Sequence, residues 1–255
     1  MLNTWLAATL AAVVAGVVGF FVVVRGETFP AHAIANGAFA GATGATLLGL
    51  NPLLGLASFS LLGAGGVAVL RRRAQSDVAT GLVLVTLLAL GSAFVSQTTT
   101  YQGQVVGLLF GSLFGVSHQQ LLLLGAIALV CCVTVLSLFR PLLLSALSPD
   151  VARGRGLNVG LLNAIFLVVI AAATTLSIPV VGTFLVFSLM IGPAAVARRL
   201  VISPARAMAL SVALALGLAW TAIASAYATN WPVGFFVGTY AGVLYLVTNW
   251  WRRSR

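Results

Sequence analysis

The stretch Val180–Leu200, VVGTFLVFSLMIGPAAVARRL, decides the class of fold. It is an uncharged apolar run that carries Gly192-Pro193 near its end and stops on Arg198-Arg199. About 20 apolar residues at roughly 1.5 Å rise cross a hydrocarbon core of about 30 Å, so the run reads as a membrane-spanning helix. The paired arginines mark the end that stays in the cytoplasm. Proline inside a spanning helix frees a carbonyl and predicts a bend supported by neighbouring helices. The expectation is a kinked, oriented helix in a bundle.

The whole chain repeats this pattern. Of its 255 residues 61% are hydrophobic and 6% charged. A soluble domain needs far more charge to cover its surface, whereas lipid covers the sides of a membrane protein. Residues 1–255 therefore read as one all-α polytopic transmembrane domain. The net charge of +10 comes from thirteen arginines in short clusters between apolar runs. That is the distribution of cytoplasmic loops, and it requires no nucleic acid. Lysine is absent, which excludes a Walker A phosphate site and Schiff-base chemistry. HExxH and GxSxG motifs are also absent. Cys131 and Cys132 are adjacent, so they point apart on a helix and read as packing residues.

Nine runs fit as spanning helices: Leu6–Val24, Ile34–Leu50, Leu53–Leu70, Val78–Ser96, Leu121–Phe139, Val159–Thr175, Val180–Val196, Ala207–Ala226 and Val233–Trp250. The expectation is about eight to nine crossings. Loops after the odd-numbered runs and the C-terminal tail hold every arginine. The other connections, Asn51-Pro52, Gln97–Gln120, Leu176–Pro179 and Thr229–Pro232, are uncharged. This predicts an external N-terminus, read as a retained helix, and a cytoplasmic C-terminus. In the segment Gly103–Gly115 glycine recurs every fourth residue, giving one face on which another backbone can approach closely. It is expected as a short re-entrant or external helix. Gly37 and Gly41 make a shorter strip of the same kind.

No charged residue falls inside the predicted bundle, so the polar candidates are His32 and Asn36, four apart on one helical face. Imidazole suits zinc, manganese or iron, while an amide oxygen is a harder and weaker ligand. The same pair also fits simple hydrogen-bonded packing. His118, beside Gln119 and Gln120 on the external side, is a candidate first contact for metal or a solvated loop residue. The cytoplasmic connection Arg140–Asn158 contains Ser148-Pro149-Asp150, which suits a helix start capped by Ser148 with proline at the first position. Val151, Ala152 and Arg153 continue a short amphipathic turn that Gly156 stops. A short helix there gives a partner protein something to push, or is an ordinary capped loop.

Several segments together resemble the permease subunits of bacterial metal-ion ABC transporters, the zinc, manganese and iron class. The run VVGTFLVFSLMIGPAAVARRL is similar to that family's valine-glycine start, apolar run and proline-alanine-alanine-x-alanine-arginine ending. SPDVARGRGLNVGLLN resembles its cytoplasmic segment that docks into the ATPase, and SDVATGLVLVTLLALGSAFVS and the late WPVG also agree. Studied members carry an aspartate and, four residues on, a histidine implicated in metal passage. Here the matching positions hold His32 and Asn36, so the two-residue geometry is kept and the carboxylate lost.

The resemblance implies an ABC importer permease in the bacterial inner membrane, without a permanent cofactor, carrying zinc, manganese or iron. It implies a permease homodimer, separate ATPase subunits and an extracytoplasmic metal-binding protein. It also implies ATPase coupling through about residues 141–158. Two other classes stay open on the residues alone: an ATP-independent metal or small-solute transporter or channel, and a non-transporting membrane scaffold or intramembrane enzyme.

Overall fold

Apolar runs become helices here because a backbone in lipid must bond to itself. A computed structural model describes residues 2–71, 76–97, 107, 117–183 and 185–253, and the expected glycine-strip helix at Gly103–Gly115 lies outside them apart from Gly107. Among the described residues the elements are all helical. They are α1 (Leu2–Val24), α2 (Thr28–Leu47), α3 (Pro52–Leu70), α4 (Ser76–Gln97), α5 (His118–Ser137) and α6 (Phe139–Leu147). After these come α7 (Pro149–Gly154), α8 (Val159–Val181), α9 (Val186–Leu200), α10 (Pro204–Thr229) and α11 (Val233–Arg253).

Helix starts follow the local chemistry. Asn51 accepts from the Leu53 amide at 2.9 Å with Pro52 at the first position of α3, and Asn158 accepts from Leu161 at 3.0 Å to open α8. Ser117 and Gln120 form a reciprocal capping box at the start of α5.

Seven helices, α1, α3, α4, α5, α8, α10 and α11, are long and apolar enough to cross a membrane. Of the nine expected crossings, α2 and α9 stand apart. α2 is rich in alanine, glycine and threonine, and most of it is buried by other helices. A helix that lipid does not touch needs no high hydropathy. α1 and α8 form the centre, buried over 72% of their most apolar windows against 22% for α4 and α5. The outer helices turn leucine and valine outward, as at Leu122, Leu129, Val130 and Val133 of α5.

The stretch Val180–Leu200 differs from expectation. It does not form one spanning helix. α8 runs through Pro179 to Val181, so the expected loop Leu176–Pro179 is helical, and the break falls at Gly182. α9 has 15 residues, about 22 Å, too short to cross alone. Gly182 adopts φ 89°, ψ 158°, a conformation essentially confined to glycine. Proline near a helix end is tolerated because the neighbouring helices satisfy what it frees, whereas this backbone conformation ends the helix outright.

Glycines set the closest crossings. A Cβ at Gly41 of α2 would overlap the backbone carbonyl of Gly55 of α3, and the reverse holds too. A Cβ at Gly19 of α1 would overlap the Met190 carbonyl of α9. Gly37 instead faces Leu87 of α4, so the strip Gly37–Gly41 serves two neighbours. In the expected kink Gly192-Pro193, glycine admits Ala241 of α11.

Overlap with a backbone cannot be relieved by a rotamer change. Gly41→Ala is expected to lower stability by about 1–3 kcal/mol or more, read as an earlier melting transition in detergent. Gly65→Ala, with open space at its Cβ, is expected to be neutral or to stabilise by about 0.5–1 kcal/mol.

Candidate functional site

The second turn of α2 carries His32, half-buried, and Asn36, buried. The Asn36 side-chain amide donates to the His32 backbone carbonyl at 2.9 Å. Its nitrogen also lies 3.3 Å from Nδ1 and 3.2 Å from Nε2 of the imidazole. An in-plane atom at those two distances would overlap Cε1, so the amide sits over the ring face. The in-plane lone pair of the imidazole is thus left unused by Asn36. Phe187, at the start of α9, meets the ring edge to face with centroids 4.9 Å apart. The pair therefore lies beside the break that follows α8 at Gly182. There Thr183 is fully buried and its hydroxyl has no hydrogen-bond partner among the described residues. Irregular backbone inside a bundle is tolerated where protein or a cavity surrounds it, and transporters use such breaks at their binding sites. Thr43, seven residues beyond Asn36, extends the same face, its hydroxyl bonded to Phe39 and Ala40 carbonyls at 3.0 and 3.1 Å.

His118 is not part of this group. It opens α5 on an exposed turn, and α5 does not touch α2. Among the described residues no three His, Cys, Asp or Glu side chains come together.

The connection Arg140–Asn158 is mostly helical, as α6 and α7. Ser148 holds the cap position of α7 with Pro149 first, but its side chain makes no capping bond, which corrects the expected cap. Its φ of −149° and ψ of 82° fit a sharp corner from α6 rather than a capping geometry. Asp150 and Arg153 pair at 2.7 Å on the exposed face, Val151 is exposed, and Ala152 is buried. The helix closes with Gly156 bonding Arg153 and Leu157 bonding Ala152, the two bonds of a Schellman end. The result is a short, stopped helix with a charged outer face and one buried anchor.

Sequence reasoning missed the polar node beneath this segment. α1 ends in another Schellman turn, with Gly26 at φ 68° and Glu27 bonding back to Val22. Arg25 reaches from that turn to the Leu142 carbonyl at 3.1 Å and the Ser145 hydroxyl at 2.7 Å on α6, and to Asn163 Oδ1 on α8. It also lies over the Phe166 ring at 5.3 Å. Burial pulls its guanidinium below the ordinary value, and Glu27 opposes that shift. Glu27 itself pairs with Arg71 at the end of α3, at 2.6 Å and largely buried. Arg198 donates to the Val23 carbonyl at 3.2 Å, and Arg199 bonds Tyr245 at 2.7 Å. The signal in sequence was one of only three acids among thirteen arginines. Its partner, 44 residues away, was not legible.

The ABC 3 transport family is matched by residues 1–252. The manganese import system permease protein ScaB of Streptococcus parasanguinis is 26% identical over 248 residues, covering 96% of this chain and 88% of that protein. The high-affinity zinc uptake system membrane protein ZnuB of Haemophilus influenzae is 27% identical over 188 residues, covering 73% of this chain and 72% of that protein. Among solved structures, PsaBC from Streptococcus pneumoniae in complex with Fab superposes with a TM-score of 0.86 at 23% identity, over 96% of this chain and 89% of that one. At that identity the likeness speaks for the fold.

Two substitutions check the geometry. Gly182→Ala forces a side chain into a glycine-only conformation and is expected to cost about 1–3 kcal/mol, seen as a lowered melting temperature. Arg71→Ala leaves Glu27 buried without its partner and is expected to cost about 3–5 kcal/mol, with Glu27→Gln in the Arg71→Ala background recovering part of the loss.

Proposed function

The chain belongs to the ABC 3 transport family, and from that premise we propose that it carries a divalent transition-metal ion inward across the cytoplasmic membrane as the permease subunit of an ATP-driven importer. The observation that carries this is the family match over nearly the whole chain. The chain is a transport subunit and not the ATPase, in keeping with its lack of lysine. Manganese and zinc are the cargoes named for the relatives above; iron is not among them. The full assembly is two copies of this chain with two ATPases and an extracytoplasmic metal-binding protein.

His32 and Asn36 line the route. Two neutral ligands per copy hold a dication weakly, and a conducting site must bind well enough to admit an ion and weakly enough to release it. His118 is a separate external point of first contact. The N-terminus lies outside and the C-terminus inside, a reading supported by the gathering of Arg25, Arg71 and Arg198 at the end of α1 and the turn after it. ATP binding closes the ATPases on Ser148–Gly156, and motion of Pro149, Asp150, Val151, Ala152 and Arg153 with α7 drives alternating access.

Proteoliposomes holding the permease and its ATPase test this. Uptake of manganese(II) or zinc(II) is expected only with both ATP and the ATPase. Loss of even outer-shell metal partners costs about 10–100-fold, so His32→Ala with Asn36→Ala is expected to cut initial uptake at least about tenfold. Flux without the ATPase argues for a channel instead. Undiminished uptake by the double variant removes the pair from the route.

A further inference from the structure

We infer that Arg25 is the positioning residue through which the α6–α7 segment acts on α2, the helix bearing His32 and Asn36. The inference rests on the importer reading and adds the connection that reading lacks. α7 does not touch α2, but both pack on α8, so a push on α7 reaches α2 along α8 and through the turn that Arg25 holds. α7 packs on α6 and α8, and α6 packs on α1. Arg25 holds that junction with three acceptors, on Leu142 and Ser145 of α6 and on Asn163 of α8. It stands on the tight turn Arg25–Glu27, after which α2 begins at Thr28. His32 is seven residues from Arg25 along a closed turn and a helix, with no slack between them. Glu27, in the same turn, fastens it to α3 through Arg71. The turn therefore joins α6 and α8 on one side to α2 and α3 on the other.

The node is also incompletely satisfied. Nε of Arg25 and Nε of Arg71 are both buried without a hydrogen-bond partner among the described residues. Buried orphan donors are uncommon and raise the energy of the arrangement that contains them. The planar guanidinium meets these acceptors from two nitrogens held in a fixed fork, a geometry that the point-like ammonium of lysine does not reproduce.

The test compares metal moved per ATP hydrolysed in proteoliposomes of the full permease–ATPase complex, with manganese(II) and zinc(II) in separate arms. Arg25→Gln is expected to keep ATPase co-elution and to hydrolyse ATP within twofold of wild type. Its uptake-to-hydrolysis ratio is expected to fall at least fivefold, and Arg25→Lys is expected to recover only part of it. If Arg25→Gln does not assemble, Ser145→Ala with Asn163→Ala, which strips acceptors and leaves Arg25, is expected to lower the ratio at least twofold. An unchanged ratio in the assembled variants, or uptake and hydrolysis falling together, overturns the inference while leaving the importer reading intact. A wild-type complex that hydrolyses ATP and moves neither metal refutes the importer reading, and this inference with it.

Discussion

Backbone-to-backbone contact without side chains between is what the rest of this bundle depends on. Inside lipid there is no hydrophobic drive to press helices together, so close packing and internal hydrogen bonds must do it. Gly41 against Gly55, and Gly19 against Met190, bring α2 onto α3 and α1 onto α9 at distances that no Cβ permits. These crossings enclose α2 in protein. Enclosure in turn explains why α2 carries a histidine and an asparagine at little cost, since neither meets hydrocarbon alone.

A second constraint acts at the arginine-bearing end. Four helices meet the end of α1 and the turn after it through charged or carbonyl groups: α6 and α8 through Arg25, α3 through Glu27, and α9 through Arg198 on the Val23 carbonyl. Buried ionic groups are weak devices for stability, but they define which surfaces meet. Here they tie the α6–α7 connection to the helix that bears the polar pair. The arginines that mark orientation in a linear reading thus double as structural ties.

The polar pair owes its setting to a failure of helix continuity. α8 ends at Val181 and α9 begins only at Val186, with Gly182 and Thr183 outside both helices. Phe187 then comes over His32, and the buried Thr183 hydroxyl is left open in the same stretch. A continuous helix from Val180 would have offered only a side-chain surface.

Much of the architecture was legible along the chain, since lipid demands long apolar runs and the runs declare themselves; α1, α3, α4, α8, α10 and α11 all lie where hydropathy puts them. The i, i+4 spacing of His32 and Asn36 likewise fixes a shared face whatever surrounds it. Three things were decided only by the tertiary structure. Helix ends near Pro179 and Gly182 depend on whether neighbours can satisfy the freed backbone, which periodicity does not encode. His118 was separated from the pair because α5 packs away from α2. The partners of Arg25, at residues 142, 145 and 163, lie more than a hundred positions away. Local physics sets each helix, and only packing chooses which distant groups a buried guanidinium meets.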